Sequence, residues 1–301
     1  MRTKNKILWG VLALVVLIGL WLRWDSKNPK YHDLRLSEWV EIAGNRSLRQ
    51  TDSARLAKEA LIQNRNESIH LIIEKLKPDS RFVFKFKNAV ASHSIVKINP
   101  EAETLRWRSA MDALELLGKD ARPAIPELLN WLEDPDANLR LTASLALSAI
   151  GEEPELVVPE LIKALGDPHM SVQVNAAIAL REFGEEARVA IPHLLKLTEN
   201  SDDFVMFSAA VSVFEIGPET SEKTVPILAE RLKNGRDQGG VWQVEILLSL
   251  AKMGPRAKSA LPQIEAFCDS EDAHLKKMAE RAVTLISGEE LEGEQSPPSD
   301  R

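Results

Sequence analysis

Residues able to do chemistry are few in this chain and stand far apart. Histidines occur at His32, His70, His93, His169, His193 and His274. No two are four residues apart, and no His-Glu-x-x-His puts paired imidazoles on one helical turn, so neither metal ligands nor catalytic residues are expected. Cys268 is the single cysteine, which excludes an internal disulfide. It falls where a helix ends, level with Leu132 and Leu165, and packing is expected there rather than thiol chemistry. Glu185-Glu186 and Asp202-Asp203 stand at helix starts, where carboxylates complement the helix dipole. Gly239-Gly240 follows no evident strand and predicts a lengthened turn, not a phosphate loop. No cofactor is implied.

One segment does carry a pattern. Within 78–100, Arg81-Phe82-Val83-Phe84-Lys85-Phe86-Lys87 alternates aromatic and basic residues. Phe82, Phe84, Lys85, Phe86 and Lys87 are candidates for contact with anionic headgroups or a partner. The alternative is that the phenylalanines cap an open end of the core.

The elements behind these residues repeat. Gly118, Gly151, Gly184, Gly217 and Gly254 follow one another at spacings of 33, 33, 33 and 37. Pro126, Pro159, Pro192, Pro226 and Pro262 follow them at a near-constant offset. The prolines suit a first helical turn, where a missing N–H has no partner to lose. The glycines suit a left-handed helix end. Between each proline and the next glycine runs a second helix. Ala143/Ala146/Leu147/Ile150 recur there as Ala176/Ala179/Leu180/Phe183, the i, i+3, i+4, i+7 face of a helix. Two further columns are apolar: Leu141/Val174/Phe207/Val244 and Leu145/Ile178/Val211/Leu248. Stacking of neighbouring repeats is expected to bury them. Asp134-Pro135-Asp136 and Asp167-Pro168 form the turns within repeats, with Asp136 and Ser171 as expected N-caps.

A paired-helix unit reading P-x-L-(I/L), then A-A-x-A-L-x-x-(I/F)-G, resembles HEAT repeats, and its short period is similar to the phycobilisome-lyase type. The resemblance covers residues 101–288, with degenerate repeats over 31–77. It implies an all-α, right-handed α-α superhelix of the HEAT/armadillo-like solenoid kind. It also implies a binding scaffold, not lyase activity. That type often opens its second helix with Val-Arg. Leu139-Arg140 fits, whereas Val172-Gln173, Val205-Met206 and Trp242-Gln243 depart from it, so most of an arginine ladder is lost. Together with Tyr31, "LSEW" and the insertion, the layout resembles membrane-anchored or exported HEAT proteins of Verrucomicrobia-like bacteria.

Residues 1–30 read as a signal anchor with its flanks. Arg2, Lys4 and Lys6 precede the uncharged run Ile7 to Leu22. The run is roughly 24 Å long as a helix against roughly 30 Å of hydrocarbon, and Arg23 and Trp24 extend it. A transmembrane helix over 7–24 is favoured over a cleaved signal peptide, because no small-residue cleavage site follows. A buried helix is the remaining alternative. The leading basic residues favour a bacterial inner-membrane protein with its repeats on the periplasmic side, although Arg23, Lys27 and Lys30 weigh against that orientation. Residues 289–301 are acidic, bear prolines and read as a disordered tail.

The formal net charge of −7 disfavours nucleic acid, which needs clustered Lys and Arg. In a HEAT stack the second helices line the concave face. Thr142, Asn175, Ser208 and Glu245 form one column there. Asn138, Ser171, Phe204 and Val241, and then Ala149, Glu182, Glu215 and Lys252, lie along it. Thr142, Asn175, Ser208, Glu245, Glu182 and Glu215 are the candidate contacts for a protein or peptide. The expected function is a membrane-tethered, non-enzymatic scaffold. A lyase-like or accessory module holding a small ligand in the groove is the alternative.

Overall fold

A computed structural model describes residues 28–77, 100–200, 202–234 and 241–288. The run 7–24, the loop with Phe82, Phe84, Lys85, Phe86 and Lys87, Gly239-Gly240 and the tail 289–301 lie outside them. Among the described residues, no helix is long and apolar enough to cross a membrane. The elements form two compact units that divide between Glu153 and Pro154.

The first unit opens on a feature that the sequence did not announce, a short antiparallel ladder of β1 (Lys30–Tyr31) and β2 (Leu34–Arg35). His32, with φ of 51°, turns the chain between them. The ladder is fastened to α1 (Leu36–Ala43) by side chains of the LSEW stretch. The Trp39 indole N–H donates to the Tyr31 carbonyl at 3.0 Å. Ser37 donates its backbone N–H to Asn28 Oδ1 at 2.8 Å and accepts from Asn28 Nδ2 at 2.9 Å. Glu38 accepts from the Arg35 N–H at 2.7 Å, as the third residue of a capping box does.

Helix α2 (Asp52–Gln63) buries Ala54, Ala57, Ala60 and Leu61. Helix α3 (Arg65–Leu76) packs on α4 (Pro100–Leu117), so the helix expected to open a repeat finds its partner across the inserted segment. Helix α4 also packs on α1, and there Gly44 is required. A Cβ at Gly44 would lie 2.3 Å from Ser109 Cα. Helices α5 (Ile125–Trp131) and α6 (Ala137–Ile150) complete the unit.

The second unit holds α7 (Pro154–Ala164), α8 (Met170–Glu182), α9 (Ile191–Leu197), α10 (Asp203–Ile216), α11 (Ser221–Asn234), α12 (Val241–Met253), α13 (Leu261–Glu265) and α14 (Ala273–Ser287). Its second helices α8, α10 and α14 bury the expected small-residue face: Ala176, Ala179 and Leu180 in α8, Ala209 in α10, and Ala279 and Ala282 in α14 are inaccessible to solvent, whereas α12 buries the bulkier Ile246, Leu247 and Leu250. The last helix turns Lys276, Lys277, Glu280 and Arg281 to solvent. Leu285 of the same helix is also exposed.

Three expectations need correction. Pro126, Pro192 and Pro262 do stand in a first turn, each after a seven-residue 3-10 segment that ends before the helix begins. Pro159 and Pro226 are instead inside α7 and α11, because those helices start earlier, at Pro154 and Ser221. Gly118, Gly151, Gly184 and Gly254 are left-handed, but Gly217 has φ of −140°. Gly217 serves close approach instead, since a Cβ there would come within 2.9 Å of Ile191 Cδ1. Ser171 is the second residue of α8 rather than its cap. His169 holds the cap position and makes no side-chain capping bond. Asp136 is a cap as expected, accepting from the Asn138 N–H at 2.9 Å.

The departures from Val-Arg prove to be partly conservative. Arg140 is buried and donates to the carbonyls of Asp134 at 2.7 Å and Pro135 at 3.1 Å, clamping the turn within its repeat. One repeat on, Gln173 Nε2 donates to the Asp167 carbonyl at 2.7 Å. The same turn carbonyl is satisfied by a neutral donor of similar reach. The turns themselves repeat: Asp134, Asp167 and Asn200 each accept, at 2.8 Å, the N–H two residues on.

Candidate functional site

The candidate contacts do not share one environment. Thr142 and Ser208 are buried, 5% and 6% exposed, and a partner cannot reach them. A buried hydroxyl in a helix can bond to the carbonyl one turn back. Ser144 and Ser212 show such bonding, donating to the Arg140 and Ser208 carbonyls at 3.1 and 2.7 Å. Thr142 belongs to the first unit; the other candidates belong to the second.

In the second unit Asn175 is partly buried, and its amide donates to the Ser171 carbonyl at 2.7 Å. Glu215 is held on both sides. Arg181 of α8 approaches it at 3.3 Å, and Lys252 of α12 donates to it at 2.5 Å. It therefore braces three second helices and is not a free contact. Glu182 and Glu245 are exposed and form no ion pair with another described residue.

One apolar column expected in the core is partly open. Ile178 and Val211 are only partly buried, and Leu248 is 43% exposed. This column is α8, α10 and α12 presenting one apolar side chain each, between Glu182 on one side and Glu245 on the other. Leu285 of α14 and Phe204 of α10 are similarly exposed, at 45% and 44%. Full burial of a leucine side chain is worth about 1.5–3 kcal/mol, which this column partly forgoes in the free chain. In the other column Val174 is buried, and Phe207 and Val244 are partly buried and pack against the core, so the two columns differ most at Val174 and Leu248. Periodicity marks both columns as apolar, but cannot say which one the next helix covers.

The remaining chemistry-bearing residues have structural surroundings. His169 Nδ1 lies 3.6 Å from Asp167, and His193 and His274 are exposed on separate helices. The His32 ring stacks edge-on against Tyr31. Among the described residues, no group of three His, Cys, Asp or Glu side chains could hold a metal ion. Asp202 caps α10, accepting from the N–H groups of Phe204 and Val205. Asp203 pairs with Arg231. The Cys268 thiol packs against the core, where burial, and then Glu280, Asp269 and Glu265, hold its pKa above the usual range.

Helical hairpins stacked so that the second helices of successive repeats share one open face define the HEAT-like solenoid class. The chain carries HEAT repeats: a family model for the HEAT repeat matches residues 124–153, and one for HEAT repeats matches 158–244. None of the curated proteins matches it. Among solved structures it is similar to a mutant of the karyopherin Kap121p, at 17% identity and a TM-score of 0.57, over 83% of this chain and 29% of that one. It is also similar to Kap121p bound to the SUMO protease Ulp1p, at 16% identity and TM-score 0.55, with the same coverage. A third is Kap121p bound to the extreme C-terminus of the protein phosphatase Cdc14p, at 17% identity and TM-score 0.54, again over 83% and 29%. The chain spans under a third of the karyopherin's length, and the likeness is one of fold.

Proposed function

We propose that this chain is a non-enzymatic scaffold that binds a protein partner on the second-helix face of its second unit. The supporting observation is the column Ile178, Val211 and Leu248, left open between the exposed carboxylates of Glu182 and Glu245. An apolar strip with a polar margin is the usual composition of a protein contact. The fold is shared with Kap121p, which is solved bound to the SUMO protease Ulp1p and to the extreme C-terminus of the protein phosphatase Cdc14p. The tether is the apolar run 7–24, in a bacterial inner membrane with the repeats on the periplasmic side. The 33-residue period and Leu139-Arg140 are the features that support short repeats of the phycobilisome-lyase type.

A photo-crosslinking residue at Val211 in native membranes tests the face, with Leu156 on a first helix as the control position. The expected result is a discrete product at Val211 that Leu248→Lys removes. Equal products from both positions, or products indifferent to Leu248→Lys, overturn the reading. Protease accessibility of the repeats in intact spheroplasts tests the orientation, and retention through alkaline extraction tests the anchor.

A further inference from the structure

The turn clamp lapses at one repeat, and a cleft lies there. Met206 occupies the position of Arg140 and Gln173 but offers no donor to the turn at Asn200. Beside it is a cleft of about 470 Å3, lined by Met206, Pro226 and Ile227 and edged by Asp203, Glu230 and Arg231. That volume falls in the range of roughly 300–1,000 Å3 occupied by small-molecule sites. The buried Met206 side chain forms an adaptable apolar floor.

The charges at the edge are unequal. Arg231 is paired with Asp203, so each cancels the other. Glu230 accepts from the Asn234 amide at 2.7 Å, a neutral donor, and pairs with no cation among the described residues. An anion would meet Glu230 and find the arginine already engaged. A cation with an apolar body would meet Glu230 with its charge, and Met206 and Ile227 with its body.

We propose that this cleft binds a small organic cation, an apolar body carrying one protonated amine. The site is built from α9, α10 and α11 and does not depend on the partner face.

The test uses the purified full chain with 4-fluorobenzylamine and its neutral counterpart 4-fluorobenzyl alcohol, read by fluorine NMR line broadening. The amine is expected to bind about fivefold more tightly than the alcohol, a difference of about 1 kcal/mol. Glu230→Gln should erase that preference and leave alcohol binding unchanged. Met206→Gln supplies the donor found at Gln173 and should weaken both ligands about tenfold, or about 1.4 kcal/mol. Ile227→Lys, at a partly exposed wall position, should do the same to the amine. Failure of the wild-type chain to bind the amine overturns the proposal. So does an amine preference that survives Glu230→Gln, or amine binding untouched by both Met206→Gln and Ile227→Lys.

Discussion

Gln173 donates its side-chain amide to the Asp167 carbonyl at 2.7 Å, as Arg140 reaches Asp134 one repeat earlier. Thirty-three residues separate both members of the two pairs, so a single clamp is executed by two residue types. What matters is a donor long enough to reach the turn. Arg140→Gln should therefore cost under about 1 kcal/mol, whereas Arg140→Met, which leaves the Asp134 and Pro135 carbonyls without that donor, should cost about 1–3 kcal/mol. Urea midpoints of the two variants check this; equal midpoints would contradict it.

Gly44 allows α1 to lie against α4, and a methyl group there would collide with the Ser109 backbone. Overpacking of this kind costs about 1–3 kcal/mol, and backbone cannot rotate away as a side chain can. Gly44→Ala is expected to lower the melting temperature by several degrees, and adding Ser109→Gly should recover little of the loss, because the Cα and carbonyl oxygen that the methyl group meets remain. Calorimetry gives both values.

Glu215 joins Arg181 and Lys252 across three helices. Glu215 and Arg181 are partly buried and Lys252 is exposed, so the Lys252 pair contributes about 0.2–1 kcal/mol and weakens as salt rises, and the Arg181 pair is screened less. Glu215→Gln should destabilise the second unit modestly, less so in 1 M salt, and leave partner crosslinking at Val211 in place. Loss of crosslinking with unchanged stability would make Glu215 a contact instead of a brace.

Burial raises the Cys268 pKa, and Glu280, Asp269 and Glu265 add to the shift. A raised folded-state pKa favours the protonated thiol in the native chain. The associated stability is present below the unfolded thiol's pKa and is lost as pH climbs through the folded one. Alkylation by iodoacetamide should be slow at neutral pH and still rising past the pH where a free thiol levels off. Glu280→Gln should shift that profile down. A profile matching free cysteine would contradict the assignment.

Much of the architecture is legible without coordinates. Glycine and proline mark helix ends through φ and missing N–H groups, which are properties of single residues. Ala176, Ala179 and Leu180 mark a buried face through their period, which is a property of one helix. The resemblance to HEAT repeats rests on the recurrence of both. The departure of Gly217 from the left-handed conformation was not legible, because a glycine adopts a φ of −140° as readily as a positive φ. The same holds for the start of α7 and α11, which depends on the turn before each proline.

By its sequence alone, then, this chain determined its helices, their pairing into repeats and the column of small residues in each core. Only the tertiary structure decided which apolar column stays open, because Val174 and Ile178 have the same chemistry and differ in whether a neighbouring helix covers them. It likewise removed Thr142 and Ser208 from the surface, bound Glu215 between two cations, and left a cleft where Met206 replaced a hydrogen-bond donor. Burial and pairing are relations between elements. Residue type limits them, and packing selects among them.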